Sequence, residues 1–185
     1  MPNSEVGYTK VLLNNKLSVM ERFWNIVHYF AYLMNCKMQL AFNKINPGLL
    51  IHKLPFLKKY YKKKGIDPVK IFNDVYKRPD WGFNITFAGI LMYSLLGILF
   101  FGLQFLYQAY VEKYDFKLFI IIFIIGWIVS YVISHILLFH ADKYLEYFKE
   151  FDKKTHKWKV KWAWISLSVI LFPFIVLVLS FVAMS

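Results

Sequence analysis

The stretch LFIIIFIIGWIVSYVISHILLFH, residues 118–140, decides the fold class of this 185-residue chain. It lies in a charge-free window, 118–141, that exceeds the roughly 20 apolar residues a helix needs to cross about 30 Å of hydrocarbon. Two further charge-free windows cover 81–111 and 162–185. The sequence therefore predicts an all-α integral membrane protein.

Three transmembrane helices are predicted, over about 83–107, 118–140 and 162–183. Aromatic side chains at their ends support these boundaries, because amphipathic rings favour the headgroup layer of a bilayer. These residues are Trp81, Tyr107, Tyr110, Trp162 and Trp164. In the third helix, Pro173 removes a backbone donor and predicts a kink.

Charge divides the chain into a basic N-terminal region, 1–80, and a three-helix region, 81–185. Lysine and arginine exceed aspartate and glutamate by nine over 1–80 and by three over 142–161, whereas the loop 112–117 is balanced. Cytoplasmic loops carry an excess of lysine and arginine. We therefore expect a protein of the cell inner (cytoplasmic) membrane with a cytoplasmic N-terminus and an extracytoplasmic C-terminus.

The second crossing is expected to extend beyond the membrane. After His140, the sequence ADKYLEYFKEFDKK keeps apolar residues at three- and four-residue spacing. This periodicity predicts one continuous helix from about Leu118 into the cytoplasm, ending at about Asp152. No removable signal peptide is expected, since the first apolar block lies far from the start and lacks a cleavage pattern.

A further amphipathic helix is predicted over 19–42, because Ser18 and Glu21 have the spacing of a capping box. Its polar residues recur at steps of four and three and form one narrow stripe. They are Glu21, Asn25, His28, Tyr32, Asn35 and Gln39. Such a helix lies in a membrane interface or against other helices, and the pattern leaves both open.

Two proline motifs punctuate the rest of the basic region. Asn46-Pro47-Gly48 predicts a break after the amphipathic helix. Asp67-Pro68 predicts the start of a short helix, with aspartate as its N-cap and proline in its first turn, and Arg78-Pro79 predicts its end. The basic region is therefore expected to be helical and interfacial.

The segment LPFLKKYYKKKG, residues 54–65, combines five lysines with two tyrosines. The residues expected to contact a lipid surface or an acidic partner are Lys58, Lys59, Tyr60, Tyr61, Lys62, Lys63 and Lys64. Because the segment is tethered to a membrane crossing, anionic headgroups lie within reach, and each lysine near them contributes about 1 kcal/mol. A bilayer with anionic headgroups is the predicted partner, an acidic protein is the alternative, and nucleic acid is disfavoured.

Three ionisable residues near the end of the second crossing are candidates for a functional role: His135, His140 and Asp142. On one helix His135 and Asp142 share a face, whereas His140 points away, so the three do not converge as metal ligands. A structural hydrogen bond is the first interpretation of His135, and a proton, haem or ligand contact is the second. No metal and no cofactor are expected.

Gly126, Ser130 and Ser134 place a small residue at every fourth position of the second crossing. Small residues allow helix backbones to approach closely, and serine can hydrogen-bond across the contact. We interpret these three residues, the small-residue ladder, as a helix-packing face.

The sequence contains no phosphate-binding glycine loop, zinc-protease motif, nucleophile elbow or pair of intramembrane carboxylates. We therefore do not expect an enzyme. The leading hypothesis is a non-catalytic subunit or scaffold of a larger inner-membrane complex with other membrane protein subunits. The alternatives are a small oligomeric channel, carrier or membrane redox accessory that uses His135, and an immunity-type membrane protein.

Overall fold

A computed structural model describes the backbone of residues 3–52, 54–113 and 115–185, and the side chains of these ranges from residue 19 onward. All regular structure in these ranges is helical. The helices are α1 (Asn3–Phe42), α2 (Pro47–Ile51), α3 (Pro55–Lys64), α4 (Pro68–Lys77), α5 (Phe83–Tyr110), α6 (Phe116–Leu138), α7 (Lys143–Asp152) and α8 (His156–Met184). A short 3₁₀ turn, His140–Asp142, separates α6 from α7.

Three segments are long and apolar enough to cross a membrane: Phe83–Tyr110, His156–Met184, and Phe116–Asp152, which contains α6 and α7. They include the three predicted crossings, so the chain has the architecture of a multi-pass membrane protein. Helix α8 continues through Pro173, and the kink at this residue stays a prediction.

The residues form two compact units, Met1–Phe30 with Leu91–Ser185, and Ala31–Ile90. The first unit contains α6, α7, α8 and the longer part of α5. The second unit contains α2, α3, α4 and the first residues of α5. Helix α1 contributes residues to both.

Proline and side-chain caps define the short helices of the second unit. Asp67 Oδ1 accepts hydrogen bonds from the backbone N–H groups of Val69 and Lys70, each at 3.1 Å, which confirms the predicted start of α4. Asn46 caps α2 in the same way, with Gly48 N at 2.9 Å. The predicted break at Asn46-Pro47-Gly48 is therefore also the beginning of a new helix.

Helix α1 begins at Asn3 and not at Ser18, so the predicted helix start is wrong, although the predicted end at Phe42 is confirmed. The side chain of Ser18 lies outside the described residues. A capping-box spacing inside a longer helical sequence carries no start signal by itself, because the helix continues whenever the preceding residues also adopt helical geometry.

The expected continuous helix over 118–152 is also wrong, because the helix ends at Leu138 and a second one begins at Lys143. Ala141 and Asp142 have φ angles of 57° and 52°, which are left-handed and incompatible with a continuing α-helix. This conformation costs a non-glycine residue about 1 kcal/mol. Tertiary contacts must offset that strain.

Glycines allow close packing of α5 in the first unit. A Cβ on Gly97 would lie 2.9 Å from the Trp127 ring of α6, and a Cβ on Gly102 would lie 3.2 Å from the Leu177 backbone of α8. Gln104 Nε2 also donates to the Phe119 carbonyl at 2.8 Å. Helix α5 therefore packs against both α6 and α8.

The left-handed turn generates the first prediction. Ala141→Gly should raise the free energy of unfolding by about 1 kcal/mol, because glycine adopts positive φ without the steric cost that alanine meets. Ala163→Gly, at an exposed position of the regular helix α8, should lower it by a similar amount. Thermal unfolding in detergent measures both, and destabilisation by Ala141→Gly would contradict the assigned turn.

Candidate functional site

The small-residue ladder faces α5. Ser130 and Ser134 are fully buried, and the Ser134 hydroxyl donates to the Met92 carbonyl of α5 at 3.4 Å. The Ser130 hydroxyl donates within its own helix to the Gly126 carbonyl at 2.6 Å. A Cβ on Gly126 would lie 3.4 Å from Phe100 Cβ, so the three ladder residues occupy the α5–α6 contact.

The opposite face of α6 is open. Ile121, Ile128 and His135 recur every seven residues and lie about 140–180° from Ser130 on a helix with 3.6 residues per turn. All three are exposed. Only 6% of the most apolar 18-residue stretch in Phe116–Asp152 is buried. We call the face formed by Ile121, Ile128 and His135 the outer face of α6.

His135 is the polar member of this outer face. Its ring stacks on Tyr131 with centroids 5.7 Å apart and on Phe139 at 6.2 Å. Tyr131 in turn contacts Tyr93 of α5 at 5.0 Å. The exposed imidazole is therefore held between the rings of Tyr131 and Phe139.

His140 and Asp142 are exposed in the turn after α6. The helical geometry that places His135 and Asp142 on one face does not apply across this break. Within the described ranges, no group of three His, Cys, Asp or Glu side chains has a metal-binding arrangement. The three candidates therefore do not form one site.

Sequence reasoning left the environment of the α1 polar stripe open, and the structure places it against other helices. In the first unit, Asn25 and His28 are fully buried and Tyr29 is 2% exposed. These residues lie against the end of α6, the following turn and α7. The four- and three-residue spacing of the polar residues identified the stripe, but it did not indicate which elements pack against it.

Asn25 stabilises the end of α6. Its Nδ2 donates to the Leu137 carbonyl at 2.9 Å and to the Glu21 carbonyl at 2.8 Å. Leu137 belongs to the last turn of α6, where backbone carbonyls have no partner within the helix. A buried carbonyl without a donor would cost about 1–3 kcal/mol, so this amide supports the termination of α6.

Three neighbouring polar contacts join α1 to α7. Tyr29 donates to Asp152 Oδ1 at 2.5 Å. Arg22 forms a bidentate pair with Glu150, at 2.6 and 3.2 Å, and Glu21 contacts Lys143 at 3.4 Å. The two ion pairs are partly exposed and contribute little individually. The hydrogen bond of the buried Tyr29 phenol is the stronger contact. Burial is the larger cause that raises the pKa of Tyr29, and the hydrogen bond to Asp152 raises it further.

His28 lies in an aromatic enclosure. Its ring centroid is 5.3 Å from Phe148, 5.5 Å from Phe139 and 5.7 Å from Tyr144. Neither imidazole nitrogen has a hydrogen-bond partner within the part of the chain that the structure describes. Burial lowers the pKa of His28 to about 3, so the imidazole is neutral at pH 7.

In the second unit, amides connect α1 to α4 and α5. Asn84 Nδ2 donates to Gln39 Oε1 and to Cys36 Sγ, both at 3.3 Å. Asn73 Oδ1 accepts hydrogen bonds from Gln39 at 3.3 Å and from Asn43 at 2.6 Å. The polar stripe therefore continues as a packing face along α1.

The basic segment forms helix α3, which ends at Lys64 and is capped by Gly65 with a left-handed φ of 66°. The five lysines are exposed: Lys58, Lys59, Lys62, Lys63 and Lys64. Lysines in the last turn are stabilised by the negative end of the helix dipole. Tyr60 is 51% exposed and lies 4.7 Å below Lys64 Nζ, whereas Tyr61 is half-buried and contacts His52.

Comparison of the chain with protein-family models, curated proteins and solved structures finds no match.

The small-residue ladder generates the second prediction. Ser130→Leu should lower the free energy of unfolding by about 1–3 kcal/mol, because a fully buried serine at the α5 contact leaves no room for a larger side chain. Ser168→Leu, at an exposed position of α8, should change it by less than about 0.5 kcal/mol. Detergent unfolding measures both, and equal effects would contradict the packing role.

The buried imidazole generates the third prediction, which concerns pH. Between the ordinary pKa of 6.5 and the folded value of about 3, the unfolded chain binds a proton that the folded chain does not. Stability should therefore fall as pH falls below 6.5, by about 1.4 kcal/mol per pH unit from this group. Chemical unfolding at pH 7.5 and 5.5 measures the loss.

His28→Phe should remove this part of the pH dependence, because phenylalanine fills a ring-lined site without titrating. His140→Phe is the matched control, since His140 is exposed. An unchanged pH dependence in the His28 variant would show that the imidazole is not the responsible group.

Proposed function

We propose that the chain is a non-catalytic subunit or scaffold of a larger protein complex in the inner (cytoplasmic) membrane. The outer face of α6 carries this proposal. A membrane helix that packed only within its own chain would have little exposed apolar surface, whereas most of the apolar surface of α6 is exposed. Lipid and helices of other subunits are the natural neighbours of such a surface.

The polar groups on this side favour protein contact over lipid alone. His135 and Tyr131 are both exposed on α6, and hydrogen-bonding groups in or near hydrocarbon are stabilised by a polar partner. Packing within the first unit uses the small-residue ladder on the opposite side. The two faces of α6 are therefore assigned different roles, internal packing and subunit contact.

The basic surface supports attachment to the cytoplasmic side of the membrane. Residues 54–80 contain eight basic and three acidic side chains, and the lysines of α3 are exposed. Anionic lipid headgroups attract such a surface. We assign the N-terminus to the cytoplasm and the C-terminus to the opposite side on the same charge argument.

A cross-linking experiment tests the proposed subunit role. A photoreactive residue at Ile128, which is 58% exposed on the outer face, should form an adduct with a distinct protein in native membranes. Leu179 of α8, at 56% exposure, provides a matched apolar control. Adducts of equal yield and identity at both positions, or no protein adduct at Ile128, would contradict a specific subunit contact.

A small oligomeric channel, carrier or redox accessory is the second candidate, favoured by the exposed and stacked imidazole of His135. In that case Ile128 should cross-link to another copy of this chain. His135→Asn should then abolish ion flux or haem absorbance, whereas a subunit contact made by hydrogen bonding should survive the substitution.

Cysteine labelling provides the fourth prediction and tests the orientation. In a Cys36→Ser background, a single cysteine at Lys113 or Ser185 should react with an impermeant thiol reagent outside intact cells. A cysteine at Lys154 should react only after the membrane is opened. The reverse pattern would contradict the proposed orientation.

A further inference from the structure

An open apolar groove of about 480 Å³ lies in the second unit. Tyr61 of α3 forms one side, and Ile71, Phe72 and Tyr76 of α4 with Phe83 of α5 form the rest. Phe72, Tyr76 and Phe83 make a stacked row, with centroids 4.4 and 4.9 Å apart. Ile71 and Phe83 are 54% and 52% exposed, so the described part of the chain leaves an apolar surface uncovered here.

The helix beside this groove is strongly basic. On α3, Lys58 and Lys64 lie three residues before and after Tyr61, and residues three apart are neighbours on a helix surface. Lys59 and Lys63 lie two residues from Tyr61 and point to the opposite side of the helix. All four lysines are exposed. Lys58 and Lys64 therefore lie on the side of α3 that carries the groove residue Tyr61, whereas Lys59 and Lys63 lie on the other side.

The groove also adjoins the start of a membrane-length helix. Phe83 is both a groove residue and the first residue of α5. If α5 crosses the bilayer, this end lies at the boundary between hydrocarbon and headgroups. A ligand bound at this boundary would place an apolar part in the groove and an anionic part at the lysines.

We propose that the groove binds one anionic phospholipid, with an acyl chain against Ile71, Phe72 and Phe83 and the phosphate at Lys58 and Lys64. This inference rests on the proposed attachment of the basic surface to the membrane and adds a defined site to it. Charge complementarity selects the anionic headgroup, and the apolar groove selects a lipid over a free phosphate ion.

Native mass spectrometry of the full-length chain released from detergent tests the site. With phosphatidylglycerol and phosphatidylcholine present together, one phosphatidylglycerol molecule should remain bound per chain. Lys58→Gln with Lys64→Gln should lower its retention by about tenfold, since two lysines are lost from the headgroup contact. Ile71→Glu, which places a carboxylate in the groove, should lower it similarly.

Lys59→Gln with Lys63→Gln is the matched control, because it removes the same charge from the other side of α3. Equal loss in both lysine pairs would overturn the site but keep a diffuse basic anchor. Absence of any preference for phosphatidylglycerol in the unsubstituted chain would overturn both the site and the membrane-surface part of the proposed function.

Two further outcomes concern other occupants. Displacement of the lipid by glycerol phosphate, which has no acyl chain, would show that the lysines bind a phosphate alone and overturn the proposal. If Ile71→Glu leaves lipid retention unchanged and instead dissociates a dimer of the chain, the groove is covered by a second copy, and the proposal is likewise overturned.

Discussion

The hydrogen bond from Asn25 to the Leu137 carbonyl is the contact on which the first unit depends. It gives a partner to a backbone group at the end of α6, where the helix can no longer provide one. The chain then passes through two left-handed residues, Ala141 and Asp142, and α7 comes to lie along α1. The hydrogen bond from Tyr29 to Asp152 stabilises this arrangement, and the exposed pair of Arg22 and Glu150 adds little to it. The contacts between α1 and α7 thus offset the strain in the turn. They form only because the turn brings α7 against α1.

In the membrane-length helices, several serines are buried and many large apolar side chains are exposed. Ser130, Ser134, Ser166 and Ser180 of the membrane-length helices are buried, and isoleucine, leucine and phenylalanine dominate the exposed surface. That distribution suits a lipid environment, where a polar group is stabilised by protein and not by solvent. It also explains how one helix can serve two purposes. The small-residue ladder of α6 is used for internal packing, and the outer face stays available for lipid or another subunit.

The sequence predicted most of the local structure, such as helices and caps, and little of the tertiary packing. Charge-free windows found the three long helices, since a bilayer span needs many consecutive apolar residues, and the Asp67-Pro68 cap found α4. The turn after α6 was missed because neither Ala141 nor Asp142 is a glycine, the usual sign of a left-handed residue. The start of α1 was misplaced because a capping-box spacing also occurs within longer helices. The burial of His28 depends on residues far apart in sequence, and the groove beside Tyr61 depends on how three successive helices pack. Periodicity within one helix predicts neither.

A double-mutant cycle on Tyr29 and Asp152 tests most directly whether α1 is docked on α7. The free energy of unfolding would be measured for Tyr29→Phe, Asp152→Ala and the combination. A partly buried hydrogen bond to a charged group predicts a coupling energy of about 2 kcal/mol. If the two changes add within about 0.5 kcal/mol, α1 does not contact α7 in this way, and the account of the first unit is wrong.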